Sequence, residues 1–562
     1  MNILGLNYYY HDTAASIVSD GQLIVAIEEE RLSRDKHTWC FPIRSAARAM
    51  EVAGLTPKDI DHIALSIKPS LNTAARLLYG LKNFSNARPF IKHELIAGRR
   101  KQLAFRRWFN HTFADVAKKP QVHFIPHHVC HAVGSFLVSP YEKAALLGID
   151  GAGEWATSYM GYGDGTHITE YRQSYFPNSL GSFYEAITQF CGFKPNYDEG
   201  KTMGLAPMGD PQPFYDKMSQ LIAIDNDGEI KIDLSYFSYQ FWGGQRYSQK
   251  FIDTFGQPRD KNGEFKDNHL NVAAAAQRVL EERILELSNV LHDRSGADYL
   301  VMAGGVARNS VANGRVVREG KFKDVYVMPA AGDNGTGIGA SYYVYNKILK
   351  QPRNFVHLNP YVGNSYSNAE ILKTISECKL NAEHHEDICS EAARLLHAGN
   401  ILGWFQGNME IGPRSLGNRS ILADPTAPAM KDKINAEVKH REAYRPFAPS
   451  CTVEAAAQFF ETEVEDPFML KVCFVRPEAR AKLPAITHVD GSARLQTVQK
   501  TTNPRYHELL SRFGELSGAP VLLNTSFNIM GEPIVESPHH AIRCFFSTGL
   551  DILVLGNYVI RK

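Results

Sequence analysis

The chain has 562 residues, which predicts three or four structural units at roughly 150 residues each. Its 61 Lys and Arg face 60 Asp and Glu, and 44% of the residues are hydrophobic and 22% charged. These ordinary values exclude a disordered chain, a collagen-like fibre and a disulfide miniprotein. The balanced charge also argues against a protein that coats nucleic acid.

The cysteines and the N-terminus indicate the expected compartment. Eight cysteines are scattered along the chain without a Cys-x-x-Cys pair, which favours reduced thiols over a zinc ribbon. The first residues lack the basic and apolar regions of a signal peptide. No apolar run approaches the ~20 residues that cross a bilayer. We therefore expect a cytoplasmic protein without a membrane partner.

The N-terminal half contains an internal repeat. Residues 3–30 read as a strand that ends at Asn7, followed by two strands that an Asp-Gly turn joins. Residues 144–172 repeat this plan with a first strand that ends at Asp150. Asp-Gly turns are strong hairpin signals. The repeat predicts a duplicated α/β fold around a cleft, with a polar residue at the end of each first strand.

A basic stretch follows the first repeat. Residues 68–119 contain twelve Lys and Arg against two acids, and 99–107 is its densest part. The functional interpretation is a patch for nucleic acid, anionic lipid or an acidic substrate. Solvated surface helices are the favoured alternative.

A histidine pair suggests a metal site. His127 and His131 are four residues apart, so on a helix they share one face. The pair alone also fits two packed histidines. Asp150 and Asp333 lie in glycine-rich segments, and two imidazoles with carboxylates suit Fe(II), Mn or Zn.

Several glycine-rich segments suit phosphate binding, because glycine lets backbone N–H groups approach an anion. Each segment alone fits a turn, but four in one half favour a nucleotide. Lys201, which lies between Gly200 and Gly204, adds a cation. The segments are Gly151-Ala-Gly153, Gly200 to Gly204, Gly304-Gly305 and Gly332 to Gly335.

A long helix and a later loop-like region indicate the domain organisation. Residues 271–296 read as a long helix, and a loop-like region without periodicity follows the N-terminal half. We predict domains over 1–350 and 368–562, with a linker over 351–367. The sequence does not decide which of the two domains the last strand joins.

The C-terminal domain holds cations beside Gly, Pro and Ser. Guanidinium is the preferred bidentate partner of phosphate, so these residues suit an oxyanion. Surface salt bridges are the alternative, because Glu437, Glu442 and Asp424 lie nearby in the sequence. The candidate residues are Arg414, Lys439, Arg445 and Arg494, followed by Asn524 and Ser526.

Together these motifs resemble the O-carbamoyltransferase family of antibiotic and nodulation-factor biosynthesis. The N-terminal half is similar to the tRNA threonylcarbamoyladenosine transferase, and the C-terminal half is similar to the threonylcarbamoyl-adenylate synthase. The similarity spans nearly the whole chain. The motifs that carry it are His11-Asp12, 28–34, 127–131, 150–154, 200–206, 332–335, 412–417, 439–449 and 524–528.

The resemblance implies an α/β fold, with a duplicated actin/Hsp70-like ATPase-fold domain followed by a mixed α/β synthase-like domain. ATP, with Mg, and carbamoyl phosphate would meet in the C-terminal domain and give carbamoyl-adenylate and pyrophosphate. The carbamoyl group would pass to a hydroxyl-bearing small molecule, with His11 as the base. The resemblance also implies an Fe(II)-like ion, phosphate contacts and nucleotide contacts. Their expected residues are His127, His131, Asp150 and Asp333 for the ion; Arg414, Lys439, Arg445, Arg494, Asn524 and Ser526 for carbamoyl phosphate and ATP; and Gly151, Gly153, Lys201, Gly304, Gly305, Asn309 and Gly332 for the nucleotide.

One departure concerns the acceptor. Family members that modify aminoglycosides carry an acid two positions before the base, where this chain has Tyr9. Aromatic residues suit a sugar face or a less charged acceptor. The alternatives left open are an actin-like sugar kinase or ATPase, a tRNA-modifying carbamoyl transferase and a non-enzymatic binding protein. Nucleic acid is not an expected partner, and a homodimer is one candidate assembly.

Overall fold

The computed structural model describes residues 1–8, 10–92, 98–442, 444–462 and 464–562. The chain forms two compact units: unit 1 contains residues 1–29 and 37–357, and unit 2 contains residues 30–36 and 358–562. The change between His357 and Leu358 falls inside the region predicted as a linker. The assignment of residues 30–36 to unit 2 was not part of the predicted boundaries.

Unit 1 contains two five-stranded sheets of identical topology. In each sheet, the central strand pairs antiparallel with the strand that follows it in the chain. On its other side, it pairs parallel with a strand from later in the chain. This shared order confirms the predicted duplicated α/β fold. The first sheet has the strand order β3 (Gln22–Glu28), β2 (Ala14–Ser19), β1 (Asn2–Asn7), β4 (His62–Leu65) and β5 (Gln121–Phe124). The second sheet has the order β12 (Asp324–Val327), β11 (Tyr299–Ala303), β6 (Lys143–Gly153), β7 (Ala156–Asp164) and β8 (His167–Tyr175). A small separate hairpin contains β9 (Ile222–Ile224) and β10 (Ile230–Ile232).

The first hairpin turn follows from its two central residues. Asp20 and Gly21 have φ of 48° and 81° and connect Ser19 to Gln22, which pair across the strands. Positive φ at both positions matches the twist of flanking strands, and Asp-Gly tolerates it. The sequence signal therefore gave this turn correctly.

Helices cover the sheets of unit 1. The long helix predicted over 271–296 is confirmed as α11 (Asp267–Ser295), which ends where Gly296 adopts φ of 61° and caps it. The helices are α1 (Glu29–Ser33), α2 (Ile43–Val52), α3 (Thr73–Lys82), α4 (Arg88–Lys92), α5 (Gly98–Thr112), α6 (His127–Leu137), α7 (Leu180–Phe190), α8 (Glu199–Leu205), α9 (Gln212–Ser219), α10 (Gln249–Phe255), α11 (Asp267–Ser295), α12 (Ser310–Glu319) and α13 (Thr336–Tyr342). Among the described residues, no helix is long and apolar enough to cross a membrane.

Two of these helices approach each other through glycines. A Cβ on Gly134 of α6 would lie 2.3 Å from the Cα of Gly339 on α13. No real Cβ contact is that short, so only glycine permits this backbone approach. The contact matters because α6 carries the histidine pair and α13 begins just after Asp333.

Unit 2 is built around one eight-stranded mixed sheet, and the last two strands join it. Its sheet order is β13 (Glu383–His384), β23 (Tyr558–Arg561), β22 (Ile552–Leu555), β14 (Leu402–Phe405), β15 (Arg419–Ala423), β21 (Val521–Ser526), β16 (Ala448–Thr452) and β20 (Gln496–Val498). A smaller sheet contains β17 (Phe460–Glu461), β18 (Cys473–Val475) and β19 (Ser492–Ala493).

Both faces of the large sheet are buried. Along β22, Ile552 and Val554 belong to one apolar core, whereas Leu553 and Leu555 belong to the other. Successive strand residues point to opposite faces, so a continuous apolar strand needs cover on both sides. The covering helices are α14 (Asn368–Glu377), α15 (Ile388–His397), α16 (Met430–Lys433), α17 (Val453–Phe459), α18 (Pro477–Arg480), α19 (Pro504–Ser517) and α20 (Pro538–Phe546).

The segment 30–36 is tied into unit 2 by arginine side chains. Arg31 donates from Nη2 to the carbonyl of Gly412 at 2.7 Å. Arg34 donates to the carbonyls of Ile534 and Pro533 at 2.6 and 2.7 Å. These charge-assisted hydrogen bonds explain why a short N-terminal segment belongs to the C-terminal unit.

Gly134→Ala tests the helix approach in unit 1. The added methyl group must separate α6 from α13, and overpacking of this kind costs about 1–3 kcal/mol. We expect a lower urea midpoint by circular dichroism. Gly243→Ala is the control, because its Cβ meets no atom within 4 Å. Equal midpoints for both variants would show that the helices adjust freely.

Candidate active sites

The structure brings the four predicted metal ligands of unit 1 together. The Nε2 atoms of His127 and His131 are 3.0 Å apart. Asp150 Oδ2 lies 3.3 and 3.7 Å from them, and Asp333 Oδ1 lies 3.4 Å from each. All four ligand atoms lie within 4.8 Å of one another. We call this group the His–Asp quartet, and its donor set and spacing fit one divalent ion.

Local backbone irregularity places Asp150. The strand was predicted to end at Asp150, but β6 continues to Gly153 with a register shift against β7. Gly305 donates its N–H to Asp150 Oδ1 at 2.9 Å, while Oδ2 faces the histidines. Bulges next to active sites commonly redirect a side chain in this way.

Glu154 is a site residue that the sequence did not single out. Its carboxylate accepts from the backbone N–H of His127 at 2.9 Å and also from that of Lys68. The carboxylate therefore satisfies a backbone N–H at the start of α6. Its negative charge also interacts favourably with the positive, N-terminal end of the helix dipole. Gly153 is required beside it, since a Cβ there would lie 2.3 Å from the His127 ring.

The quartet is a set of compensating buried charges. Burial lowers the pKa of His127, but Asp333 and Asp150 outweigh it and raise the pKa well above its ordinary value. Burial raises the pKa of Asp150, but hydrogen bonds with the histidines bring it well below the usual range. The carboxylates therefore require either protons on the imidazoles or a cation.

His11 lies in a second polar group of unit 1. Its Nδ1 is 3.1 Å from Asp12 Oδ2, without hydrogen-bond alignment. The other oxygen of Asp12 contacts His37 Nδ1 at 2.5 Å, and Arg308 Nη1 lies 3.4 Å from Oδ2. The Asn7 amide donates to the carbonyls of His11 and Asp12, and Asp12 has φ of 53°.

The charge of His11 depends on nearby carboxylates. Burial lowers its pKa, but Asp12, Asp333 and Asp150 together raise it to about 10. A cation bound by Asp333 and Asp150 would reduce their attraction for this proton. Asp12 would then be the main acidic neighbour of the imidazole.

The predicted nucleotide residues of unit 1 have different surroundings. Four glycines lie around Asp150, and Gly332 precedes Asp333. Asn309 caps α12 by accepting from Ala312 N, and its amide pairs with Gln277 in both directions. Lys201 pairs with Asp198 at 3.1 Å. The four glycines are Gly151, Gly153, Gly304 and Gly305.

The basic stretch forms the helices α3, α4 and α5. Leu77, Leu78 and Leu81 on α3 are more than half exposed, so apolar side chains accompany the cations there. Two residues used in the sequence analysis, Tyr9 and the side chain of Arg99, lie outside the described part of the chain.

In unit 2, Lys439 lies against the segment that follows Asn524. Its buried ammonium donates to Ser526 Oγ at 3.3 Å and to Asn528 Oδ1 at 2.9 Å, and also to the Ser526 carbonyl. The Asn524 amide donates to the carbonyl of Ser415 at 3.2 Å. These contacts join Lys439, Asn524 and Ser526 in one polar region. Ser415, the residue after Arg414, belongs to the same region through its carbonyl.

Several cations of unit 2 influence one another. Burial lowers the pKa of Lys439 far below its ordinary value, and Arg441, Arg445 and Lys36 lower it further. Burial and Arg445 lower the pKa of Arg494 to about 10. Arg494 Nε is buried without a hydrogen-bond partner among the described residues. Buried like charges repel, so this cationic group suits a polyanion.

Two of these cations were not among the predicted site residues. Arg441 stood in the sequence beside Lys439, and burial together with Arg445 and Arg494 lowers its pKa. Lys36 belongs to the segment 30–36, so only tertiary structure places it in unit 2. No local sequence signal could have found Lys36.

The loop 412–417 has an organised backbone. Glu410 Oε1 accepts from the backbone N–H groups of Leu416, Asn418 and Arg419. Arg419 is fully buried, and its guanidinium donates to backbone carbonyls that include those of Asn364 and Gly407. Arg419 therefore has a structural role, whereas Arg414 lies within the loop itself.

The chain belongs to the carbamoyltransferase family. The family model described as "Carbamoyltransferase N-terminus" matches residues 2–342, and "Carbamoyltransferase C-terminus" matches residues 393–562. These matches cover most of unit 1 and of unit 2. They confirm the family that the motifs suggested.

Relatives agree with this assignment. Nodulation protein NolNO of Sinorhizobium fredii is 38% identical over 99% of this chain and 80% of its own length. The 3'-hydroxymethylcephem-O-carbamoyltransferase of Streptomyces clavuligerus is 32% identical over 66% of each chain. An uncharacterized protein of Synechocystis is 39% identical over all of this chain and 97% of its own.

Solved structures are more distant. Component A of the (R)-2-hydroxyglutaryl-CoA dehydratase of Acidaminococcus fermentans is 15% identical, with a TM-score of 0.34 over 62% of this chain and 99% of its own. HypF of T. kodakarensis gives a TM-score of 0.32 over 61% of this chain and 47% of its own. Scores this low carry no functional inference.

His127→Ala tests the quartet as a metal site. Loss of one imidazole should weaken Mn(II) binding by more than ~100-fold, because even the loss of a residue that only hydrogen-bonds to a metal ligand costs 10–100-fold in affinity. Titration followed by electron paramagnetic resonance measures this directly. His167→Ala, at an exposed histidine, should bind like the wild type. Unchanged affinity in His127→Ala would contradict the assignment.

Proposed function

We propose that this protein is an ATP-dependent O-carbamoyltransferase with one half-reaction in each unit. Unit 2 would activate carbamoyl phosphate as carbamoyl-adenylate, and unit 1 would transfer the carbamoyl group to a hydroxyl of a secondary metabolite or saccharide. The main support is the coexistence of two chemically different sites: a buried cationic group in unit 2 and a His–Asp quartet beside His11 in unit 1.

The activation step requires neutralisation of two polyanions. Water would cleave carbamoyl phosphate to carbamate and phosphate, and a carbamate oxygen would then attack the α-phosphorus of ATP and displace pyrophosphate. The guanidinium groups of Arg414, Arg445 and Arg494 suit the phosphate oxygens, since each offers several fixed donors. Lys439 would hold the loop of Ser526 and contribute charge at short range.

The transfer step requires a base and a stabilised leaving group. We assign the base to His11, which would take the hydroxyl proton as the oxygen attacks the carbamoyl carbon. The C–O bond to the adenylate phosphate would break and release AMP. The glycines around Asp150 would admit the phosphate close to backbone N–H groups. A divalent ion held by the quartet would supply Lewis-acid stabilisation of charge on substrate oxygens.

Asp12 would orient the base. Its carboxylate beside His11 Nδ1 favours the tautomer that carries a proton there, which leaves Nε2 to accept from the substrate. The left-handed backbone at Asp12 and the Asn7 hydrogen bonds hold this arrangement. Asp12 is therefore proposed as a positioning residue.

The relatives support a hydroxyl acceptor. One carries the name of a carbamoyltransferase for a hydroxymethyl group, and others are named nodulation proteins. We carry over to this chain only the shared chemistry, which is carbamoylation of an alcohol oxygen.

Product analysis tests the whole proposal. With ATP and carbamoyl phosphate, the wild type should release AMP, pyrophosphate and phosphate, and an acceptor should gain one carbamoyl group by mass spectrometry. Arg494→Met should slow pyrophosphate release at least about tenfold, since a charge-assisted hydrogen bond contributes about 1.5–3 kcal/mol. Arg512→Met, at an exposed helix arginine, is the control. ADP formation without carbamoyl phosphate would instead indicate a kinase.

Asp12→Asn separates the two half-reactions. Loss of the carboxylate should reduce the rate of carbamoyl transfer about 10²–10⁴-fold, with pyrophosphate release in unit 2 unchanged. The pH dependence of transfer should also shift to lower pH, because the amide no longer stabilises protonated His11. Asp20→Asn, at an exposed acid that pairs with the N-terminus, is the control. A variant with normal transfer at every pH would exclude the positioning role.

A further inference from the structure

A segment of the predicted linker is built into unit 2. Residues 360–364 exchange backbone hydrogen bonds with residues 409–411, and the N–H of Gly363 donates to the carbonyl of Met409 at 2.8 Å. Residues 409–411 lead directly into the loop 412–417. The segment lies between the two family matches and belongs to neither. Nothing in the proposed chemistry so far uses it.

Tyr361 connects this segment to the loop. Its hydroxyl donates to the carbonyl of Leu416 at 2.7 Å. The side-chain amide of Gln496 donates to the same oxygen at 2.8 Å. A carbonyl oxygen has two lone pairs, so the two donors satisfy it and fix the position of Leu416 from two directions.

The neighbouring carbonyls of the loop are held in the same way. Asn524 of β21 donates to the carbonyl of Ser415 at 3.2 Å. The indole of Trp404 on β14 donates to the carbonyl of Gly417 at 2.9 Å. Three consecutive carbonyls, directly after the candidate arginine of this loop, therefore accept from side chains in other parts of unit 2. Buried hydrogen bonds of this kind make a backbone rigid.

We propose that Tyr361 is a positioning residue for the activation of carbamoyl phosphate. Tyr361 would fix the loop through the Leu416 carbonyl and thereby hold the Arg414 guanidinium where it meets the phosphate. This inference rests on the proposed function, which assigns phosphate binding to Arg414. Accurate placement matters, since a displacement of ~1 Å can cost about 10²-fold in rate. Tyr361 itself would not touch the substrate.

A double-mutant cycle tests whether Tyr361 acts through Arg414. Tyr361→Phe removes only the hydroxyl and should lower kcat/KM for carbamoyl phosphate in pyrophosphate release about tenfold, within the range for coupled neighbours. In the Arg414→Lys background, the same change should cost less than about twofold, because residues that act as a unit do not contribute additively. Equal fold-losses in the two backgrounds would overturn the proposal.

Stability measurements separate positioning from a purely structural role. Tyr361→Phe should remain folded under the assay conditions, which circular dichroism in urea checks, and still show the lower kcat/KM. Tyr141→Phe is the matched control, because it loses a hydroxyl that donates at the same 2.7 Å to Asp324 in unit 1. Its pyrophosphate kinetics should equal those of the wild type. Wild-type kinetics in Tyr361→Phe, with only a lower urea midpoint, would contradict the positioning role.

A second variant removes the other donor to the same carbonyl. Gln496→Met should also lower kcat/KM, and its loss should likewise shrink in the Arg414→Lys background. A loss that is independent of Arg414 would count against the fixed Leu416 carbonyl as the means of positioning.

Ligand binding distinguishes this proposal from the proposed function. Phosphonoacetamide, a stable analogue of carbamoyl phosphate, should bind more weakly to Tyr361→Phe than to the wild type by calorimetry, but equally to Arg414→Lys with and without Tyr361→Phe. A wild type that binds the analogue and releases no pyrophosphate would contradict the proposed function, and the binding cycle would then decide the role of Tyr361. Normal pyrophosphate release with additive losses would contradict only the positioning role.

Discussion

The buried compensation of charge in the His–Asp quartet is the constraint on which the rest of unit 1 depends. Two carboxylates removed from water require partners within a few ångströms, because an unpaired buried charge costs several kcal/mol. The two imidazoles supply them from consecutive turns of α6. The glycines at Gly134 and Gly339 allow α6 and α13 to approach, and the turn at Asp333 then delivers the second carboxylate. Packing and electrostatics therefore specify the same geometry.

Unit 2 shows the opposite arrangement, in which like charges are brought together. Burial lowers the pKa values of Lys439, Arg441 and Arg494, and the charge of Arg445 lowers all three further, so the folded protein tolerates repulsion that an anionic ligand would relieve. Strain of this kind is typical of functional sites. Arg419 shows the structural alternative, because its guanidinium is surrounded by carbonyl oxygens. The contrast supports the proposal that the cationic group binds phosphate.

Much of the fold followed from local signals. The Asp20-Gly21 turn, the long helix α11 and the repeated strand plan were all predicted, because turn chemistry and periodicity act over a few residues. Among the site residues, the spacing of His127 and His131 predicted a shared helix face. Asp150 was predicted to end its strand, but β6 continues through a register shift. Glu154 and Asp12 stood in family motifs, but no local pattern predicted their contacts.

The sequence by itself determined the repeat, the turn types, the helical face of the histidines and the family motifs, since these depend on neighbouring residues. Only the tertiary structure decided which arginines donate to carbonyls and which lie within electrostatic range of other arginines. It alone also assigned residues 30–36 to unit 2. It also brought Asp150 and Asp333 to the same histidines. These outcomes depend on burial and on contacts between segments far apart in the chain, and such contacts leave no periodic trace in a single sequence.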